Sequence, residues 1–216
     1  MENLYLVGVM ILSYLLGSIP TAVWVGKWFY GIDVREHGSG NAGANNTFRV
    51  LGVKAGVPVL LVDAIKGYLA TTLVIFVPFI AKGTPQEMNL KILLGIISVV
   101  GHIFPIFAQF RGGKGVATLA GMVIALHPLA AASSLAVFII ILMTSRIVSL
   151  SSMSAGVMFP VFLIEVYNVQ FVSMVIFSIT AAVTLLVTHR KNIERIIHRE
   201  ESRANIYKFV KKKSNR

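Results

Sequence analysis

Residues 4–26, 92–110, 147–164 and 166–188 contain no charged side chain, and residues 55–81 are interrupted only by Asp63 and Lys66. About 20 apolar residues in a helix cross the ~30 Å hydrocarbon layer of a bilayer. Backbone inside that layer has to hydrogen-bond within its own segment. These runs point to an all-α polytopic membrane protein in which helix packs against helix. The uncharged stretch 115–145 is too long for one crossing, and His127-Pro128 interrupts it near the middle, where proline breaks a helix. Two helices are expected there, giving seven transmembrane helices in a single membrane domain over 1–216. The first of the two, Val116 to Leu126, reaches only ~17 Å as a helix.

Charge then sets the orientation. Of 20 Lys and Arg, 10 follow His189. With seven spans, loops at about 28–53, 110–114 and 145–149 share one face with the basic tail, about 189–216. That face carries 17 Lys and Arg, against Lys82 and Lys91 on the other, with Lys66 inside a helix. Lys and Arg accumulate on the cytoplasmic side. The expected protein is therefore a multi-pass protein of the cytoplasmic (inner) membrane, with its N-terminus outside and its C-terminus in the cytoplasm. Met1-Glu2-Asn3 lacks the basic start of a signal peptide, so the first run reads as a retained span. The basic tail suits anionic lipid headgroups, which makes membrane lipids, and not nucleic acid, the expected partner. Cysteine is absent, which excludes disulfides and thiolate metal sites.

The same topology collects three unusual segments on the cytoplasmic face: REHGSGNAGANNTFR, FRGGKGVAT and TSRIVSLSS. In the first, Gly38, Gly40 and Gly43 let backbone approach a ligand and expose N–H groups, as anion-binding nests do. Ser39, Asn41, Asn45, Asn46 and Thr47 add neutral hydrogen-bonding groups, and Arg49 adds a fork suited to phosphate. In the second, Lys114 stands among Gly112, Gly113 and Gly115 at a helix start, where dipole and ammonium act on the same anion. The third supplies Arg146, Ser149, Ser151 and Ser152, and the tail opens with His189-Arg190-Lys191-Asn192. Many donors and few carboxylates suit phosphate recognition without a metal or other cofactor.

Two motif matches fail. GSGNAG fits a dinucleotide fingerprint, but no strand precedes it and Asp63 lies in an apolar run. RGGKGVAT lacks the first glycine and the Ser or Thr of a phosphate-binding NTPase loop. His189 and Glu194 also read H-x-x-x-x-E, near the H-x-x-x-x-D of acyltransferases that use thioester donors, but an amphipathic tail helix explains them better. Asp63 and Lys66, three apart, can pair on one helical face. His102 and His127 stand in apolar surroundings as structural residues, and His37 adjoins the first loop.

Taken together, GSGNAGANNTFRVLG, VDAIKG, GHIFPIFAQFRGGKGVAT, SRIVSLSS and THRKNIERI resemble the bacterial acyl-phosphate:glycerol-3-phosphate acyltransferases. The resemblance implies a seven-helix membrane enzyme with a cytoplasm-facing site and two substrates, acyl phosphate and glycerol 3-phosphate. The products would be 1-acylglycerol 3-phosphate and inorganic phosphate, the first acylation step of phospholipid biosynthesis. It implies catalytic roles for Arg49, Lys114 and His189. It implies substrate contacts for Ser39, Asn192 and a serine of the SLSS segment, for which Ser149 and Ser152 are named while the choice among Ser149, Ser151 and Ser152 stays open; the loop chemistry adds Asn41, Asn45 and Gly113. It also implies that a phosphate takes the hydroxyl proton, with His189 binding first and acting as base second. Where the family has glycine two residues before a glutamate in the tail, this chain has Arg199 before Glu201, and neither receives a role. The rival reading, a transporter for a phosphorylated metabolite, would need helix-borne sites at mid-membrane. The polar motifs cluster instead at one face.

Overall fold

A computed structural model describes residues 1–203, and every regular element among them is helical. The helices are α1 (Glu2–Gly17), α2 (Thr21–Tyr30), α3 (Ala44–Leu51), α4 (Val53–Thr72), α5 (Pro85–Ile103), α6 (Val116–Leu126), α7 (Pro128–Ser145), α8 (Val148–Val161), α9 (Val172–Thr188) and α10 (Arg190–Ile197). Four stretches, Val53–Phe76, Pro85–Ala108, Pro128–Ser145 and Val148–Val166, are long and apolar enough to cross a membrane. The pairs α1/α2 and α9/α10 add one crossing each if each bent pair is one span, with bends of 41° and 58°. The long run 115–145 divides as its proline requires. Helix α6 stops at Leu126 and Pro128 opens α7, the position at which proline's missing N–H costs nothing.

The chain forms two compact units, one over Met1–Pro128 and one from Leu129 onward. In the first, α1 packs on α5 and α4 on α6 through small residues. A Cβ on Gly17 would overlap the backbone of Ser98, and one on Gly67 or Gly121 would overlap Thr118 or Ala64. Backbones this close are how helices associate without a hydrophobic drive between them. Ser13 Oγ donates to Leu94 O across the α1/α5 contact at 2.5 Å. The outward faces are apolar, with Leu60, Leu61, Ile65 and Leu69 of α4 all exposed, as lipid requires and water does not. In the second unit α9 lies against α8, where Leu185 fills the space a side chain on Gly156 would take.

One buried ion pair braces the first unit. Lys66 Nζ lies 2.8 Å from Asp63 Oδ1, with side chains 3% and 1% exposed. Lys66 also donates to Ile19 O at 2.7 Å, a carbonyl at the break between α1 and α2. Helix ends leave carbonyls outside the helical ladder, and here Thr21 N, at 3.1 Å, and the lysine both donate to Ile19 O, so the lysine reinforces the break. Thr21 donates to the same Asp63 oxygen at 3.1 Å, and His102 Nδ1 stands 3.7 Å from it.

Candidate functional site

The first polar segment is not the open loop that its glycines suggest. Its last six residues lie in α3, whose buried residues Asn46 and Thr47 face the protein while Asn45 and Arg49, one turn apart, are exposed. Asn46, 2% exposed, donates its amide to Val34 O at 2.7 Å and His37 O at 3.1 Å. Its carbonyl accepts from Ser39 N at 2.8 Å and Ser39 Oγ at 3.1 Å. Gly40 N donates to His37 O. The N–H groups of Ser39 and Gly40 are thus engaged within the protein, which corrects the expectation that this loop bares them to an anion. The glycines serve a turn. Gly38 and Gly40 have φ of 63° and 71°, and a Cβ on Gly38 would overlap Asn46 Oδ1. Asn41 is half-buried beside Gly43.

Before this turn, Asp33 and Arg35 make a two-pronged pair, with Nε to Oδ1 at 2.9 Å and Nη2 to Oδ2 at 2.6 Å. Lys27 adds a longer contact to Asp33 at 3.3 Å. The guanidinium hydrogen-bonded to it holds the Asp33 carboxyl well below the ordinary aspartate value. Arg35 Nη1 then donates to Ala108 O at 2.9 Å, tying the first segment to the glycine segment that follows α5. Neither residue stands out in the sequence, because the partner carbonyl lies 73 positions away.

The glycine segment folds back on the end of α5. Gly112 N donates to Ile103 O at 3.1 Å and Gly113 N to His102 O at 3.2 Å. A Cβ on Gly112 would overlap those carbonyls, and one on Gly113 would overlap His102 Nε2. The Gly113 N–H is thus committed to His102 O, and the missing side chain leaves room for the His102 ring. His102 presents Nε2 to this segment while its other nitrogen faces Asp63, so the buried ion pair stands directly behind the glycines. Gly115, at φ 74°, is the N-cap of α6, and Lys114 before it is exposed.

The second unit has its own polar cluster around Glu201. This carboxylate, 4% exposed, accepts from Ser149 Oγ at 2.9 Å, Asn192 Nδ2 at 2.8 Å and Arg195 Nε at 2.7 Å. Burial raises its pKa, but the hydrogen bonds from Asn192, Arg195 and Ser149 outweigh it and hold the carboxyl below the ordinary glutamate value. Of the three serines, it is Ser149 that donates to this cluster. Ser151 and Ser152 bond back to Ile147 O and Val148 O of their own helix. Arg146 adopts a left-handed φ of 61° just before α8. His189, 5% exposed, has Nδ1 2.9 Å from Leu185 O. A carbonyl can only accept, so Nδ1 carries a proton in this contact. The amphipathic tail helix expected after the last span is α10, with Asn192 buried and Arg190 and Lys191 exposed.

Glu201 is the residue that sequence reasoning passed over. Its signal was the family's tail glutamate, obscured by Arg199 in place of glycine. Arg199 takes φ 62°, the left-handed geometry glycine adopts freely, so the turn that returns Glu201 to Asn192 survives the substitution.

A protein-family model described as glycerol-3-phosphate acyltransferase matches residues 7–199. The glycerol-3-phosphate acyltransferase of Salinibacter ruber is 42% identical over 212 residues, 92% of each chain. That of Geobacillus kaustophilus is 47% identical over 198 residues, 89% of this chain and 93% of its own. Among solved structures, PlsY (YgiH), an integral membrane glycerol 3-phosphate acyltransferase, in its glycerol 3-phosphate form aligns with a TM-score of 0.82. The identity is 34%, over 95% of this chain and 98% of that one. Its lysophosphatidic acid form aligns at 0.76 with 35% identity, over 92% of this chain and 94% of that one.

Proposed function

The chain belongs to the glycerol-3-phosphate acyltransferase family and is a membrane acyltransferase, and from that premise we propose that it transfers an acyl group from acyl phosphate to the sn-1 hydroxyl of glycerol 3-phosphate. The observation that carries this reading is the likeness, along nearly the whole chain, to a protein solved in a glycerol 3-phosphate form. The substrate oxygen forms a bond to the acyl carbon, the bond from that carbon to the bridging phosphate oxygen breaks, and inorganic phosphate leaves. The hydroxyl proton goes to a phosphate oxygen. Acyl phosphate is already an activated anhydride, so the enzyme's work is alignment, exclusion of water and stabilisation of the charge that collects on the departing phosphate.

Arg49 and Lys114, both exposed cations at polar turns of the first unit, suit the phosphates. Ser39, Asn41, Asn45 and Gly113 complete that unit's share of substrate contact. In the second unit, Ser149 and Asn192 stand on the Glu201 cluster, and His189 binds substrate, with Ser152 beside them in sequence. Seven spans follow if α6 counts as a short crossing beside the four long stretches and the two bent pairs. The N-terminus then lies outside and the polar turns, as cytoplasmic loops of a single membrane domain over 1–216, face the cytoplasm of an inner-membrane protein. No cofactor is needed for this chemistry.

The test is phosphate release by the purified protein given palmitoyl phosphate, with and without glycerol 3-phosphate and without added metal, against a palmitoyl thioester. Release that needs both substrates, with lysophosphatidic acid formed and no reaction from the thioester, is expected. Turnover of the thioester alone would overturn the donor assignment.

A further inference from the structure

The hydrogen bonds of Asn46 fix more than the shape of the turn. An asparagine amide can usually be built either way round, but here three partners permit one orientation. Val34 O and His37 O can only accept, so they require the NH2 group, and Ser39 N can only donate, so it requires the oxygen. The second donor to that oxygen is then Ser39 Oγ, 3.1 Å away. Two oxygens at this distance attract only with a hydrogen between them, and the amide oxygen has none. The Ser39 hydroxyl hydrogen therefore points at Asn46, and the lone pairs of Oγ are what this exposed residue shows to a ligand.

A phosphate dianion presents only acceptors, so it does not suit a hydroxyl whose hydrogen is already committed. Arg49 supplies donors alongside. A Cβ on Gly38 would lie 3.5 Å from Arg49 Cδ, so the arginine stem runs past the residue next to Ser39. Donor-only and acceptor-committed groups thus stand side by side, matched to a small molecule carrying phosphate at one end and alcohol at the other. We propose that Asn46 locks Ser39 as a hydrogen-bond acceptor, so that Ser39 takes a hydrogen bond from a hydroxyl of glycerol 3-phosphate and gives none to a phosphate. Asn46 is the positioning residue and Ser39 the contact. The proposal rests on glycerol 3-phosphate being the acceptor substrate.

The experiment compares glycerol 3-phosphate as substrate with propyl phosphate, which keeps the phosphate and lacks both hydroxyls, as competitive inhibitor. In Ser39→Ala, kcat/KM for glycerol 3-phosphate falls by at least roughly threefold to tenfold, the worth of one hydrogen bond. The inhibition constant of propyl phosphate stays within about twofold of wild type, since no phosphate contact is lost. Asn46→Ala shows the same split, and the double variant adds nothing further to it, as expected of residues acting as one unit. Ser39 is exposed, so its alanine variant keeps the experiment decisive even where Asn46→Ala does not fold. Parallel weakening of propyl phosphate and glycerol 3-phosphate, or an unchanged kcat/KM in Ser39→Ala, would overturn the proposal with the wild type still active. A wild-type protein that does not acylate glycerol 3-phosphate would overturn the functional reading first.

Discussion

Lys66→Met is the substitution whose cost the structure defines best. The ammonium sits 2.8 Å from Asp63 Oδ1 and 2.7 Å from Ile19 O, with both side chains of the ion pair almost fully buried. Methionine matches the stem of lysine and removes only the charged head. Asp63 then keeps the Thr21 hydroxyl at 3.1 Å and the distant His102 ring, and Ile19 O loses the ammonium while keeping the Thr21 N–H at 3.1 Å. Breaking a buried pair from one side costs about 3–5 kcal/mol. For a chain of this length each kcal/mol moves the melting temperature by about 2–4 °C, so the purified protein in detergent should melt roughly 6–20 °C below wild type. Adding Asp63→Asn removes the stranded charge and leaves mainly the lost bond to Ile19 O, about 1–3 kcal/mol. The double variant should therefore be the more stable of the two. Thermal scans of wild type, Lys66→Met and Asp63→Asn/Lys66→Met decide it. A single variant within about 3 °C of wild type, or a double variant no better than the single, would refute the claim that the charges need each other.

Arg199→Gly should stabilise the second unit by about 0.5–1 kcal/mol, because it relieves a left-handed L-residue at the cost of some unfolded-chain entropy; a thermal scan that shows no gain would deny strain at φ 62°. Arg49→Ala and Lys114→Ala should each lower kcat by roughly a hundredfold or more while the protein stays folded, as loss of a donor to developing charge does; near-wild-type turnover in either would remove that residue from the site. Asp33 and Glu201 are both held below their ordinary values of 3.8 and 4.5. The folded state therefore binds fewer protons, and the stability these groups supply is complete above those values and lost as pH falls through the lower folded ones. Stability to urea should fall below about pH 4, and Asp33→Asn/Glu201→Gln should flatten that fall.

The membrane character, the break at Pro128 and the Asp63–Lys66 pair were legible because each follows from a strong local rule: bilayer length, the missing proline N–H, and side chains three apart on a helix. The inner workings of the polar turns were not. A glycine- and asparagine-rich stretch reads as loop, yet Ala44–Leu51 is helical, because its amphipathic face buries Asn46 and Thr47. That burial turns Asn46 from one more neutral donor into the residue that organises Ser39. Glycines 38, 40 and 43 suggested bare N–H groups, but those of Ser39 and Gly40 are engaged within the turn, and Gly112 and Gly113 matter sterically, since the end of α5 leaves no room for a Cβ. Arg35 and Glu201 act through partners 73 and 52 positions away, distances at which no spacing rule speaks.

The central claim is that an acyl group moves while phosphate leaves, and a heavy-oxygen label in the bridging position of palmitoyl phosphate tests it most directly. Attack at the acyl carbon breaks the bond between that carbon and the bridging oxygen, so mass spectrometry should find the label in inorganic phosphate and none in lysophosphatidic acid. Label recovered in free palmitate, with the phosphoryl group transferred to the acceptor, would show attack at phosphorus and contradict the account.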